Sequence, residues 1–253
     1  MKSVSITIKN WSAWMPGIQS SQQWQQWAQG KQHISLDAPF PVPNIHAMLR
    51  RRLSTLGKMA LNVATELTPS NAKMPYLFCS RHGDLGRTVH LLDTLSKQES
   101  LSPTHFSLSV HNAVGGIMSI ARKDSSNITA LAVVNDDITT ALLEAVAIME
   151  ERNHPQIACI IYDEPVPNTY KDLTIQPQHP YAIALLLSQE TSPPHKERLS
   201  FSICQPENKK HSTNEPQALT LLRFILSADS PDLLLSCEQH AWHWSKLKGS
   251  SPQ

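Results

Sequence analysis

The run Ile157-Ala158-Cys159-Ile160-Ile161-Tyr162 contains no charged or amide side chain and is stopped by Asp163-Glu164-Pro165. A run this short and this continuously apolar fits a strand covered on both faces, because a half-exposed strand would alternate with period two. Leu131-Ala132-Val133-Val134 reads as a second buried strand, and Tyr76-Leu77-Phe78-Cys79 as a third. Helical patterns separate these runs: Leu85 to Leu95, Ala113 to Ala121, and Thr139 to Glu151 through Leu142, Leu143, Val146 and Met149. The alternation predicts an α/β fold, a mixed β-sheet flanked by helices on both faces.

Val4, Ile6 and Ile8 alternate with Ser3, Ser5 and Thr7, the period of a half-buried opening strand. Trp11 to Asn44 reads as loop, and its Trp14, Trp24 and Trp27 suit either a contact arm or a loop packed on its own domain. His46 to Leu67 has helical spacing through Leu49, Leu53, Leu56, Met59, Ala60, Val63 and Ala64, with Gly57 marking close packing or a break. Phe106-Ser107-Leu108-Ser109-Val110 alternates as a strand would. Beyond Pro165, Tyr181 to Leu187 and Leu199 to Cys204 read as an antiparallel strand pair across segment 188–198. Gln217 to Leu226 reads as a helix, Leu233 to Ser236 as a short strand, and Gly249 to Gln253 as a frayed end. Neither a repeat nor an interdomain linker interrupts residues 1–253, so a single domain is expected.

Composition removes several function classes. At 253 residues and 40% apolar content the chain can bury a sizeable core. A formal net charge of +1 leaves no electrostatic footprint for nucleic acid. No apolar stretch approaches the ~20 residues a membrane span needs, and Met1 to Trp14 lacks the apolar region of a secretory signal. A soluble, cytoplasmic protein is expected. Cys79, Cys159, Cys204 and Cys237 are too widely spaced for a zinc ribbon and read as reduced, structural thiols.

Three blocks carry a family likeness. They are Arg50-Arg51-Arg52-Leu53-Ser54-x-Leu56-Gly57-x-Met59-Ala60-Leu61, Ser80-Arg81-His82-Gly83-Asp84-Leu85-x-Arg87-Thr88, and Ser102-Pro103-Thr104-His105-Phe106-Ser107-Leu108-Ser109-Val110-His111-Asn112-Ala113-Val114-Gly115-Gly116. Together they resemble the β-ketoacyl synthase N-terminal region of the thiolase superfamily, and specifically the short ketosynthase-like chain length factors of aryl polyene pathways. The resemblance covers residues 1–165 well and 166–253 loosely. It implies half of a thiolase-like fold. It also implies a ketosynthase partner, in a heterodimer or heterotetramer, with an acyl carrier protein as a further candidate partner.

In condensing enzymes of that superfamily a strand runs into a helix N-terminus at the turn that holds the nucleophilic cysteine, whose thiolate the helix dipole favours. Laid on the third block, that position falls on His111 or Asn112, neither of which can form an acyl thioester. A second thiolase half, with its two histidines and glycine-rich loop, has no counterpart in the sequence. The resemblance therefore implies a non-catalytic subunit that shapes a ketosynthase's acyl tunnel. Phe106, Ser107, Leu108, Ser109 and Val110 would form the partner interface as a strand paired across the dimer axis. Phe106, Val114 and Met118 are candidate tunnel lining.

Each of these residues also has a plainer reading. His111 and Asn112 suit a helix cap, Gly115 and Gly116 close helix packing, and Arg50 to Arg52 a solvated helix start. Asp84 suits the cap of the helix that follows it. No nucleotide-binding spacing or hydrolase elbow is present, so no cofactor is expected. His240 and His243 have helical spacing for a metal but lack a third ligand, so no metal site is expected; Trp242 and Trp244 point to packing instead. The alternative functions are an independent acyl-transfer or hydrolytic enzyme using Ser109, His111 or Cys79, and a homodimeric acyl-binding scaffold.

Overall fold

The computed structural model describes residues 3–133, 137–174, 176–190, 197–205 and 215–247. Eight strands form one mixed sheet: β1 (Val4–Trp14), β2 (Tyr76–Cys79), β3 (Ile128–Leu131), β4 (Gln156–Asp163), β5 (Tyr181–Ser188), β6 (Glu197–Cys204), β7 (Asp232–Ser236) and β8 (Ala241–Lys246). Their order across the sheet is β3-β2-β4-β5-β1-β6-β8-β7. β2 runs parallel to both β3 and β4, and every other pairing is antiparallel.

Among the described residues eight α-helices accompany the sheet: α1 (Ser21–Ala28), α2 (Ala47–Arg50), α3 (Thr55–Leu67), α4 (Leu85–Ser96), α5 (Pro103–Ser107), α6 (Ala113–Arg122), α7 (Ile138–Glu151) and α8 (Gln217–Leu226). The period-two geometry of the central strands divides the core. Ala158, Ile160 and Tyr162 join Tyr76 and Phe78 under α3 and α6. Ile157, Cys159 and Ile161 join Leu77 and Cys79 on the opposite face, with α1, α7 and α8. The continuous apolar run of β4 thus reflects burial on both sides.

Several expectations need correction. Residues 106–110 are not a strand. Ser102 caps α5 by accepting from the His105 amide, and Pro103 occupies the first turn. Ser107 Oγ donates to the Thr104 carbonyl and Ser109 Oγ to that of Phe106, so the serines follow helical spacing. A serine cap followed by proline starts a helix whatever alternation comes after it.

Trp11–Asn44 is not loop throughout: β1 runs to Trp14, and Ser20 and Gln23 form a reciprocal capping box on α1. Trp14, Trp24 and Trp27 are buried in the domain rather than held out as an arm, and Trp24 Nε1 donates to the Ala13 carbonyl at 2.9 Å. The helical region 46–67 breaks ahead of Gly57, where Ser54 caps α3. β5 and β6 are not paired with each other. β1 lies between them, bonding β5 through Thr7–Trp14 and β6 through Val4–Ile8. The buried strand expected at 131–134 lies earlier, at Ile128–Leu131. His240 and His243 lie on a hairpin rather than a helix, and Val134, most of 188–198 and 249–253 lie outside the described residues.

Candidate functional site

The parallel strands β2, β3 and β4 end side by side, and the polar residues that follow them converge there. This is where α/β sheets expose loops to ligands and partners. Asp163, at the end of β4, accepts from Ser80 Oγ at 3.0 Å and from the Arg81 amide at 2.9 Å. Ser80 Oγ in turn accepts from the Gly83 amide at 2.9 Å, closing the turn after β2. Asp84 caps α4 through the Arg87 amide and pairs with Arg87 Nε at 3.0 Å, as the cap reading expected. The same guanidinium donates to the Arg52 carbonyl at 3.1 Å, linking the first two blocks of the sequence.

His111 joins the third block to this site. Its Nε2 lies 3.1 Å from the Leu131 carbonyl at the end of β3, and its Nδ1 packs where a side chain on Gly83 would begin. Asn112 occupies the N-cap position of α6 without a side-chain cap bond, so the capping reading holds for its place in the chain and not for its amide. Ser109 Oγ is engaged by the Phe106 carbonyl.

Burial and charge tune the surrounding groups. Burial, aided by the nearby Asp84 and Asp163 carboxylates, pushes the Glu164 carboxyl up to about 7, against the opposing hydrogen bond from Thr55. Burial and the charges of Arg81 and His111 hold His82 below the ordinary histidine value. Burial pushes the Cys159 thiol up to about 12, the opposite of an activated nucleophile.

β3 lies at the edge of the sheet, and all four of its residues are half-buried. Leu92 and Leu95 of α4, Leu101, Phe106 of α5, Val110, and Ile120 of α6 are all exposed. Phe106 is 62% exposed and Val110 50%, whereas Val114 and Met118 are buried in the core beneath α3. Of the three residues offered as tunnel lining, Phe106 alone faces outward. Leu108 packs against the same core.

The strand-to-helix turn that the family reading requires does not occur at residues 111–112, because no strand precedes them. Strands lead into helices at β2 to α4 and at β3 to α7, and residues 134–136 of the second passage lie outside the described residues. Asp137 caps α7 by accepting from the Thr140 amide and hydroxyl, at 3.2 and 2.8 Å. It also accepts from Trp242 Nε1 at 2.9 Å and from His240 Nε2 at 3.2 Å. Sequence reasoning missed Asp137 and Glu164. Asp137 could have been found as a helix cap; its partners, more than a hundred residues away, carry no local signal.

Comparison with known proteins places this architecture. The family described as Beta-ketoacyl synthase, N-terminal domain matches residues 24–245. No curated protein matches the chain. Among solved structures, a chain of the ketosynthase ApeO in complex with its chain length factor ApeC, from Xenorhabdus doucetiae, is 26% identical with a TM-score of 0.82. The match covers 96% of this chain and 99% of that one. The ishigamide ketosynthase/chain length factor is 11% identical with a TM-score of 0.68, again over 96% and 99% of the two chains. Ketosynthase twelve of the bacillaene polyketide synthase from Bacillus amyloliquefaciens is 11% identical with a TM-score of 0.52, over 81% of this chain and 46% of that one. The mixed sheet flanked by helices is a thiolase-like fold, of the extent of about half a ketosynthase. No helix among the described residues is long and apolar enough to cross a membrane.

Proposed function

The chain belongs to the β-ketoacyl synthase N-terminal domain family, and from that premise we propose that it is a chain length factor, a non-catalytic subunit that pairs with a ketosynthase and shapes its acyl tunnel in aryl-polyene-type biosynthesis. The observation that carries this reading is the match, nearly end to end on both chains, to a chain of the ApeO–ApeC complex. A standalone condensing enzyme would be expected to match over only part of its own length, as the bacillaene ketosynthase does.

Chemistry supports the non-catalytic role. The β3–α7 turn reads Ala132-Val133-Val134-Asn135-Asp136-Asp137, with no cysteine, serine or threonine. Its helix N-terminus is already occupied by the Asp137 carboxylate, which uses the dipole that a thiolate would need. Of the four cysteines, Cys79 and Cys159 are buried within strands, Cys204 ends β6 and Cys237 lies in the turn between β7 and β8.

The partner surface we assign comprises the β3 edge and the exposed apolar residues of segment 92–120. A sheet edge, together with several exposed apolar side chains on the helices that follow β2, suits a buried protein interface. Phe106 and Val110 stay in that interface, as surface residues of a helical segment and not as a pairing strand. Phe106 remains the candidate for the tunnel wall. An acyl carrier protein would meet the assembled pair.

The test is co-expression of the tagged chain with a ketosynthase encoded beside it, followed by size-exclusion mass analysis. A stable complex with equal numbers of the two chains is expected, and Phe106→Glu with Val110→Lys should abolish it while the variant stays folded. A chain that ignores the ketosynthase, or a complex indifferent to both substitutions, overturns the assignment.

A further inference from the structure

One ligand-type atom each from Asp137, Cys237 and His240 lies within 4.8 Å of the others. Cys237 and His240 close the hairpin between β7 and β8, with the Cys237 amide donating to the His240 carbonyl at 2.8 Å. Residues directly opposite each other in a hairpin project to the same face, so thiol and imidazole are delivered together. Asp137 arrives from the other side, at the head of α7.

We propose that these three residues bind a zinc ion that clamps the β7–β8 hairpin to the N-terminus of α7. A histidine–carboxylate pair accounts for two of the groups. The Cys237 thiol converges on the same point, and Gln217 Nε2, which donates to the Ser236 carbonyl at 3.0 Å, also lies 3.8 Å from its sulfur. A mixed sulfur, nitrogen and oxygen set suits zinc better than magnesium or calcium, which prefer oxygen alone.

Charge also balances. On binding, Cys237 releases its thiol proton to solvent and His240 carries its one ring proton on the nitrogen turned away from the metal, so that its contact with Asp137 gives way to the metal bond; thiolate and carboxylate neutralise the dication while the imidazole stays neutral. Water completes a tetrahedral shell. The supports for the ligands are built in. Trp242 Nε1 and Thr140 orient the carboxylate, and Gln217 supports the sulfur, the outer contacts that metal ligands require. The sequence offered only His240 with His243, but His243 lies on the exposed side of β8 and pairs with Asp232 at 3.3 Å.

The full chain, stripped of metal with a chelator, is titrated with zinc against a chromogenic competitor and separately with cobalt(II). About one equivalent of zinc per chain should bind and raise the melting temperature, since the ion binds the folded state. Cobalt(II) should produce a near-ultraviolet thiolate charge-transfer band. Cys237→Ser and His240→Ala, checked for native circular dichroism, should each weaken zinc by more than the ~10–100-fold that loss of an outer-shell partner costs. Cys237→Ser should also remove the cobalt band, and Cys204→Ser should leave both readouts unchanged. Failure to bind zinc stoichiometrically, or a cobalt band that survives Cys237→Ser, overturns the site.

Discussion

His111 Nε2 meets the carbonyl oxygen of Leu131 at 3.1 Å, joining the segment ahead of α6 to the last residue of the edge strand. A carbonyl only accepts, so Nε2 carries the proton and Nδ1 is left facing Gly83. This single side chain holds two parts of the assigned partner surface, the β3 edge and the 106–110 segment, in fixed relation.

Removing it should loosen that relation. His111→Ala removes one of two donors to the Leu131 carbonyl and leaves the Ser80 amide at 3.2 Å, a loss of about 0.5–1.5 kcal/mol by the usual net cost of a deleted hydrogen bond. Urea denaturation should show the lower midpoint. Affinity for the ketosynthase should fall as well, although His111 itself need not touch the partner. Unchanged stability and affinity would mean that the contact does not organise the surface.

Gly83 gives a paired test. Its backbone has φ +59°, and a Cβ there would stand 2.7 Å from His111 Nδ1. Gly83→Ala therefore carries both a left-handed backbone penalty and a steric clash, together about 2–3 kcal/mol. In the His111→Ala background the clash disappears and only about 1 kcal/mol should remain. A double-mutant cycle by denaturant unfolding measures the difference, and strict additivity would refute the packing account.

Much of this was legible in the sequence, and the failures have physical causes. β4 and α7 were readable because burial on two faces, or on one helical stripe, writes itself into consecutive residues. Segment 106–110 was misread because Phe, Leu and Val alternate there with serines, and serine is compatible with strand and helix alike. The Ser102-Pro103 start decides between them in favour of the helix. The insertion of β1 between β5 and β6 could not be read locally, since it depends on pairings separated by 168 residues or more. The same holds for the Asp137 cluster: its members lie at the head of one helix and on a distant hairpin, and neither carries a spacing motif.

Glu164 should make stability depend on pH in a direction unusual for a carboxylate. Its folded value of about 7 lies above the ordinary 4.5, so the folded state holds more protons between those two pH values. Stability contributed by the neutral carboxyl is present below pH 4.5 and is lost as pH rises through about 7. Glu164→Gln removes the ionisation. The variant should gain about 1–3 kcal/mol over wild type at alkaline pH and little at acid pH. His82, held below its ordinary value, contributes an opposite slope, stability lost as pH falls, in both proteins and cancels in the comparison. A wild-type-minus-variant difference that stays flat with pH would remove Glu164 from this role.

The adjacent glycines of α6 should respond in opposite directions. A Cβ on Gly115 would fall 2.6 Å from Ile128 Cγ2 and 3.3 Å from the Phe78 ring, because the helix rests there directly on β3 and β2. Gly115→Ala overpacks this contact and should cost about 1–3 kcal/mol. It should also displace the β3 edge and weaken ketosynthase binding. Ile128→Ala opens the space, so the double variant should recover part of the loss attributable to the clash. At Gly116 a Cβ would meet nothing within 4 Å, and the position is exposed within the helix. Gly116→Ala should therefore stabilise by about 0.5–1 kcal/mol through helix propensity alone, with partner binding retained. Thermal unfolding of the three variants, read with their ketosynthase affinities, separates packing of α6 on the edge strand from the backbone preference of the helix. If both alanine variants shifted stability alike, the close seat of α6 on β3 would not be what holds the edge in place.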